Sequence, residues 1–216
     1  DSQTGKYKNS RATAIFNKSY ELYHLERVKK GSGKAPEIYL MEGFMDVIAA
    51  YRAGIENAVA SMGTALTSEH VEHLKRFTKK VIVTYDGDKA GQAATAKALD
   101  ELKDLPVQVV QIPDAMDPDE YLQKNSPQDL AYLLTNTRIS PVEFYIHHFR
   151  PENSENLQAQ IEFIEKIAPL IAKEPSITAQ NSYIHILTDH LPSFDYQQVE
   201  HIVNESRVRQ RKEKVK

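Results

Sequence analysis

Acidic side chains stand in two short fragments that lie about 40 residues apart. The first is Glu42-Gly43-Phe44-Met45-Asp46, and the second is Asp86-Gly87-Asp88. Carboxylate oxygens are hard donors, and several of them at one place form a site for Mg²⁺, which usually serves phosphate chemistry. The two fragments therefore predict a magnesium centre, provided that the fold brings them together.

Both fragments occupy the same kind of position in the secondary-structure pattern. Each follows a short run of β-type residues, 38–41 and 81–85, and each leads into a helical pattern. Open α/β sheets place their chemistry at the carboxyl ends of the strands. If the two strands are neighbours, the four carboxylates converge on one rim, with Asp46 one helical turn beyond Glu42. Such crowding raises pKa values and destabilises the fold unless a cation balances it.

A third acidic group follows the fourth predicted strand and consists of Asp114, Asp117, Asp119 and Glu120. Its position again matches the carboxyl edge, so it can form a second metal-binding face. Purely structural alternatives remain for these acids. Asp-Gly pairs are common in turns, Asp88 can cap the helix that starts at Lys89, and the third group can be a polar loop.

The chain pattern predicts a compact, mainly parallel four-stranded α/β sheet flanked by helices. Short apolar runs alternate with helical stretches, which is typical of βαβ units. The predicted strands are 37–41, 57–61, 80–85 and 106–112. The predicted helices between them are 44–53, one capped by Thr67 or Ser68, and 89–103.

Helical patterns dominate both flanks of this sheet. A helix is expected over 12–28, and a Gly/Ser linker follows it. After the sheet, helical periodicity covers 127–149, 154–173, 176–190 and 195–216, which predicts an α-helical bundle. We therefore expect a basic entry segment at 1–36, a catalytic α/β domain at 37–125 and a helical subdomain at 126–216.

Composition narrows the function classes. The chain has 216 residues, 41% of them hydrophobic, and no cysteine, which excludes disulfides, a thiol nucleophile and Cys-ligated zinc. No membrane helix or signal peptide is evident, so we expect a cytoplasmic protein without a membrane partner. Residues 1–34 carry eight basic and three acidic residues, and residues 35–120 carry eight and fifteen. This asymmetry suits a metal site that receives a polyanion, although a solvated basic arm is an equal alternative.

The two acidic fragments also carry a family resemblance. A strand ending in Glu-Gly, followed 44 residues later by a strand ending in Asp-x-Asp, resembles the TOPRIM domain of primases, topoisomerases and related nucleases. Four longer segments are similar to the bacterial replicative primases of the DnaG type, namely 41–47, 60–67, 85–91 and 117–119. The segments Lys6-Tyr-Lys-Asn-Ser and Ile15-Phe-Asn-Lys resemble the stretch that precedes the TOPRIM domain in that family.

The resemblance implies the TOPRIM domain and following helical part of an RNA polymerase core that makes short RNA primers from NTPs on single-stranded DNA. It implies Mg²⁺, replaceable by Mn²⁺, with two or more ions bound. The implied catalytic residues are Glu42, Asp86 and Asp88, and the implied metal ligands are these three with Asp46, Asp117 and Asp119. The implied nucleotide- or DNA-binding residues are Lys6, Asn9, Lys18 and Lys89.

Some family features fall outside this sequence. The family's zinc belongs to an amino-terminal domain with Cys and His ligands, and its contact with the replicative helicase belongs to a carboxyl-terminal domain. We therefore expect this chain to be a fragment of a longer protein. Two other functions stay open: phosphodiester cleavage, as in TOPRIM nucleases and topoisomerases, and a non-catalytic scaffold.

Overall fold

The computed structural model describes residues 17, 19–28 and 34–214. The chain forms two compact units, of which the first ends at Ile139 and the second begins at Ser140. The sequence pattern instead starts the helical part at residue 126. The difference is one helix, 127–136, which belongs to the first unit.

The first unit is built on a four-stranded sheet in which all strands are parallel. The strands are β1 (Ile38–Met41), β2 (Ala58–Ala60), β3 (Val81–Val83) and β4 (Val107–Val109). Their order is β2-β1-β3-β4, so β1 and β3 are neighbours. Every residue of β1, β2 and β3 is buried, as expected for a parallel sheet covered on both faces. The predicted sheet is confirmed.

The helices between the strands match the predicted ones and are α2 (Phe44–Arg52), α3 (Ser68–Phe77) and α4 (Lys89–Glu101). The unit also contains α1 (Leu25–Val28), α5 (Pro118–Lys124) and α6 (Pro127–Asn136), and α6 ends at Asn136, whereas the sequence pattern predicted one helix over 127–149. Of the two predicted caps of α3, Thr67 is the one used, and its hydroxyl accepts the N–H of His70 at 3.2 Å. Helix α2 packs against both α5 and α6.

The helix predicted over 12–28 is wrong for most of its described part. Residues 12–16 and 18 lie outside the described residues. Tyr23 instead exchanges two backbone hydrogen bonds with Ala60, at 2.8 and 3.3 Å, along the edge of β2. His24 has a φ of +70°, which no right-handed helix allows. Pairing with the sheet edge has outweighed the helical spacing, and only α1 remains helical.

The second unit is a helical bundle, as predicted. It contains α7 (Pro141–Phe149), α8 (Leu157–Lys173), α9 (Ile177–Thr188) and α10 (Tyr196–Lys214). The apolar stripe of α8 supplies much of its core, including Phe163, Ile164, Ile167 and Ile171. Within the described part of the chain, no helix is long and apolar enough to cross a bilayer.

Candidate active site

The register of the sheet brings the two acidic fragments together. Leu40 of β1 pairs with Val83 of β3, so Glu42 and Asp86 emerge at the same edge. The backbone N–H of Asp86 donates a long hydrogen bond of 3.4 Å to Oε1 of Glu42. The predicted convergence at the carboxyl edge is therefore present.

Two glycines let the turn after β3 approach its surroundings closely. The N–H of Gly87 donates to the carbonyl of Met116 at 2.9 Å. A Cβ at Gly87 would lie 2.1 Å from the carbonyl oxygen of Ile112, and one at Gly91 would lie 2.2 Å from that of Asp86. These glycines are needed for close contact of backbones. They hold the Asp86 turn against the loop that leads to the third acidic group.

Asp88 is the N-cap of α4, as its structural alternative predicted. Its Oδ1 accepts the N–H of Gly91 at 2.7 Å. It also belongs to the acidic cluster, because its charge raises the pKa values of Glu42 and Asp86. Capping and membership of the cluster are thus compatible.

Two residues of the third acidic group reach the same place. Asp117 caps α5 by accepting the N–H of Glu120 at 2.6 Å, and Asp119 accepts a hydrogen bond of 2.9 Å from the side chain of Gln123. Asp114 lies before them in a turn with a left-handed φ of +56°. These acids arrive from a segment about 30 residues beyond Asp86, so three separate parts of the chain build the site.

The acidic side chains line an open cleft of about 320 Å³. Its walls are formed by Glu42, Gly43, Phe44, Met45, Asp46, Met62, Gly63, Asp86, Asp117 and Asp119. Sequence reasoning did not anticipate the apolar walls, Phe44 and Met62. Met62 has a left-handed φ of +56°, a strained conformation for a side chain of its size, directly beside the acids.

Electrostatics in the cleft disfavour ionisation. Burial, followed by repulsion from the neighbouring carboxylates, raises the pKa of Asp86 to about 7. Burial also raises the pKa of Asp46 to about 7, although a hydrogen bond from Gly43 opposes the shift. The pKa values of Glu42 and Asp117 are raised too, mainly by burial. If all of these carboxylates were ionised, their negative charge would therefore exceed what the surrounding residues compensate.

The donors fit a hard divalent cation. They are all carboxylate oxygens, which Mg²⁺ and Mn²⁺ prefer. Oδ1 of Asp86 is buried and, within the described residues, has no hydrogen-bond partner. Among the described residues, no three acidic or histidine side chains lie close enough together to form a complete ligand set. The carboxylates line the walls of the cleft, as mutual repulsion would favour.

A second, larger compartment of about 460 Å³ shares Glu42 and Gly63 with the acidic cleft. One wall is the small-residue face of α4, formed by Ala90, Ala93, Ala94 and Ala98. Sequence reasoning missed this compartment, although alanines at helical spacing were the signal for it. Of the predicted nucleotide-binding residues, Lys89 is exposed at the start of α4, whereas Lys6, Asn9 and Lys18 lie outside the described residues.

Sequence comparisons relate this chain to a protein family and to named relatives. Residues 39–122 match the profile of the Toprim-like family. The chain is 54% identical over 204 residues to a DNA primase of Lactococcus lactis, covering 94% of this chain and 32% of the relative. It is 42% identical over 188 residues to a DNA primase of Listeria monocytogenes, covering 85% and 30%. The chain thus spans about a third of the length of these curated relatives.

Solved structures of primase domains also resemble this chain. One is a DnaG primase catalytic domain bound to single-stranded DNA, with a TM-score of 0.67, 29% identity, and coverage of 88% of this chain and 63% of that one. Another is the RNA polymerase domain of Mycobacterium tuberculosis primase DnaG with a double-stranded DNA oligomer that has a 6-nucleotide overhang. Its TM-score is 0.68 at 28% identity, and the coverage is 89% and 63%.

Proposed function

Because this chain belongs to the family of bacterial DnaG-type DNA primases, we propose that it carries the centre that joins ribonucleotides into short RNA primers on single-stranded DNA. The convergence of carboxylates from three chain segments on one cleft carries this proposal, together with the buried Oδ1 of Asp86, which has no hydrogen-bond partner among the described residues. Its relatives named DNA primase and the DnaG domain bound to single-stranded DNA support the reaction and the template.

Metal-dependent nucleotidyl transfer is the chemistry proposed for the cleft. Glu42, Asp46, Asp86, Asp88, Asp117 and Asp119 would hold Mg²⁺, two or more ions being proposed, with Mn²⁺ as a substitute. Bound there, the cation would favour the ionised form of the attacking hydroxyl and neutralise the charge of the departing pyrophosphate. In this reaction the primer 3′-oxygen bonds to the α-phosphorus of an NTP, the bond to the β-phosphate oxygen breaks, and the hydroxyl proton leaves to solvent.

The protein's own contribution is to hold the carboxylate oxygens in fixed positions around the cleft. Register between β1 and β3 fixes Glu42 and Asp86, and the cap of α4 fixes Asp88 while using only its Oδ1. Phe44 and Met62 form the apolar side of the cleft. We propose that Lys89 contacts phosphate from the start of α4. Roles for Lys6, Asn9 and Lys18 on a basic approach stay predictions, as do the helicase contact and the amino-terminal zinc domain of the whole protein.

Two alternative functions make different demands on the acidic cleft. TOPRIM-type phosphodiester cleavage would need the same acidic cleft, and a scaffold would need none of it. The resemblance to proteins named DNA primase over most of this chain favours primer synthesis over both.

The test is NTP incorporation on a single-stranded template by the full-length protein. Glu42→Gln and Asp86→Asn should each lower incorporation by at least about 100-fold, because each removes a charge at the reacting centre. Glu56→Gln is the matched control, since Glu56 is exposed in the same unit and lies outside the cleft. Circular dichroism should show that all three variants remain folded.

Full incorporation by Glu42→Gln would contradict the assignment. Metal-dependent nicking of DNA without NTP incorporation by the unsubstituted protein would favour cleavage. A protein that binds no Mn²⁺ in calorimetric titration would favour a scaffold.

A further inference from the structure

The apolar side of the acidic cleft contains a residue in a strained backbone conformation. Met62 follows β2 and has a φ of +56°, and Gly63 directly after it has a φ of +73°. Both values lie in the left-handed region, which glycine and asparagine occupy readily and a long side chain such as methionine does not. The turn 61–64 therefore carries an unfavourable residue at its second position.

Hydrogen bonds hold this turn against the end of β1. The N–H of Ser61 donates to the carbonyl of Met41 at 3.2 Å. The N–H of Gly63 donates to the carbonyl of Glu42 at 3.3 Å. The hydroxyl of Thr64 closes the turn by donating to the carbonyl of Ser61 at 2.8 Å. These bonds fix the direction in which the side chain at position 62 leaves the backbone.

The turn also separates the two compartments of the site. Ser61 and Thr64 line the larger compartment, Met62 lines the acidic cleft, and Gly63 lines both. Met62 is only partly buried, so its side chain is not a full member of the core. Core packing therefore does not account for a methionine in a backbone conformation that suits glycine.

The lining of the cleft matches the two chemical parts of a nucleotide. Met62 and Phe44 are apolar, and they lie in one cleft with the carboxylates of Glu42 and Asp86. A nucleotide likewise carries phosphates, which bind metal ions, and a base whose flat faces pack on apolar and aromatic side chains. The thioether of methionine makes favourable contacts with aromatic rings. Contact with the face of a base is possible for all four bases, because each has such a face.

We propose that Met62 is a nucleotide-binding residue of the cleft, and that its side chain packs against the base of a reacting nucleotide. The left-handed turn is kept because it directs an apolar side chain to this place, as strained residues at functional sites do. The base can belong to the incoming NTP or to the 3′-terminal nucleotide of the primer, which present the same kind of face. The proposal rests on the proposed function for the identity of the reaction.

Three substitutions separate the side chain from the backbone conformation. Met62→Leu keeps an apolar side chain. Met62→Asn removes the apolar contact and keeps a side chain that tolerates the left-handed region. Met62→Gly removes the side chain altogether. Ala115→Gly is the matched control, because Ala115 has the same φ of +56° and is exposed but does not line the cleft.

The experiment measures primer extension by the full-length protein at varied concentrations of NTP and of primer–template. Met62→Asn and Met62→Gly should each raise one KM by about tenfold and change kcat by less than about threefold, because loss of a base contact weakens binding and leaves the reacting atoms in place. The KM for NTP rises if the base is that of the incoming nucleotide, and the KM for primer–template rises if it is that of the primer. Met62→Leu and Ala115→Gly should leave both KM values within about twofold.

Ligands without a base supply a readout that a purely structural role would not give. Ribose 5′-triphosphate serves as a competitor of NTP, and a primer with an abasic 3′-terminal nucleotide serves as a competitor of the ordinary primer. Whichever KM rises in Met62→Gly, the inhibition constant of the matching base-free competitor should stay unchanged. Circular dichroism should show that all four variants remain folded.

Unchanged KM values in Met62→Asn and Met62→Gly would overturn the proposal, and so would an equal loss in Met62→Leu. A loss in Met62→Gly that Met62→Asn does not share would mean that the residue only stiffens the turn. A base-free competitor weakened as much as the ordinary ligand would mean that the turn acts on the phosphates, which also contradicts the base contact. Failure of the proposed function would show separately, as full NTP incorporation by Glu42→Gln.

Discussion

Two glutamates at opposite ends of β1 have opposite surroundings. Glu37, just before the strand, accepts two hydrogen bonds from the Arg138 guanidinium, at 2.9 and 2.7 Å, and pairs with Lys80 at 3.1 Å. Hydrogen bonding to Arg138 lowers its pKa. Glu42, just after the strand, meets other carboxylates, and burial raises its pKa.

This difference indicates that the amino edge of the sheet contributes to stability, whereas the carboxyl edge is suited to chemistry. At the amino edge, Arg138 also donates to the carbonyl of Leu134 and to the hydroxyl of Tyr39, so the charges of Glu37 and Arg138 both have partners. At the carboxyl edge, negative charges accumulate and an oxygen of Asp86 stays unpartnered in the described part of the chain. Functional sites commonly keep such uncompensated groups, because a ligand supplies the missing interaction.

Exchanging the two glutamates for glutamine should give opposite results, and this is the largest expected effect. Glu42→Gln should lower NTP incorporation by at least about 100-fold and leave thermal stability unchanged or higher, since it relieves repulsion. Glu37→Gln should leave incorporation within about twofold and lower stability by roughly 1–2 kcal/mol through loss of charged hydrogen bonds. Equal activity losses in the two variants would break the comparison.

The guanidinium of Arg138 should dominate stability at the amino edge. Arg138→Met leaves Glu37 half-buried with fewer partners and removes the bonds to Tyr39 and Leu134. We expect a loss of about 2 kcal/mol in the free energy of unfolding, measured by urea denaturation. A double-mutant cycle with Glu37→Gln should show coupling, and additive effects of the two changes would argue against a shared network.

The two edges should also respond to pH in opposite directions. Asp46 and Asp86 have pKa values of about 7 in the fold and 3.8 when unfolded, so the folded state holds extra protons between these values. Stability from this edge is therefore lost as pH rises from about 4 to 7. The pKa of Glu37 is lowered, so its contribution is present above the unfolded value of 4.5 and is lost as pH falls below it.

In EDTA, the thermal unfolding midpoint should therefore be lower at pH 7.5 than at pH 5.5. A change on the order of 1 kcal/mol in the free energy of unfolding corresponds to a shift of a few degrees. Mg²⁺ should restore more stability at pH 7.5 than at pH 5.5, because it binds the ionised carboxylates. Asp86→Asn should flatten the profile. A midpoint that rises steadily between these pH values in EDTA would contradict the raised pKa values.

The smallest effect is expected for Lys80, the more exposed partner of Glu37. Its side chain is 34% exposed, so its ion pair is screened by solvent. Lys80→Met should cost less than about 1 kcal/mol, and chemical denaturation at low and high salt should differ little. A loss as large as that for Arg138→Met would mean that the Lys80 pair matters more than its exposure indicates.

Local patterns were enough to predict most elements of this fold. Apolar runs and glycines predicted all four strands, and the edge at which Glu42 and Asp86 meet follows from the parallel arrangement. The cap at Asp88 was also predictable, because Asp88 directly precedes the helical pattern that starts at Lys89. The segment around Tyr23 was not, because a sheet edge, absent from any local pattern, offered its backbone better hydrogen bonds than a helix.

The amino-acid sequence by itself determined which acidic residues follow the strands and at which edge of the sheet they lie. Strand periodicity and turn residues are local signals that involve only a few neighbouring residues. Only the tertiary structure decided what each acid does. Arg138 holds Glu37 from a position 101 residues away, and Asp117, 75 residues beyond Glu42, lines the same cleft as Glu42. Glu37 and Glu42 share one strand and one chemical group, yet distant partners make one a stabilising ion pair and the other part of a repulsive, metal-suited cleft.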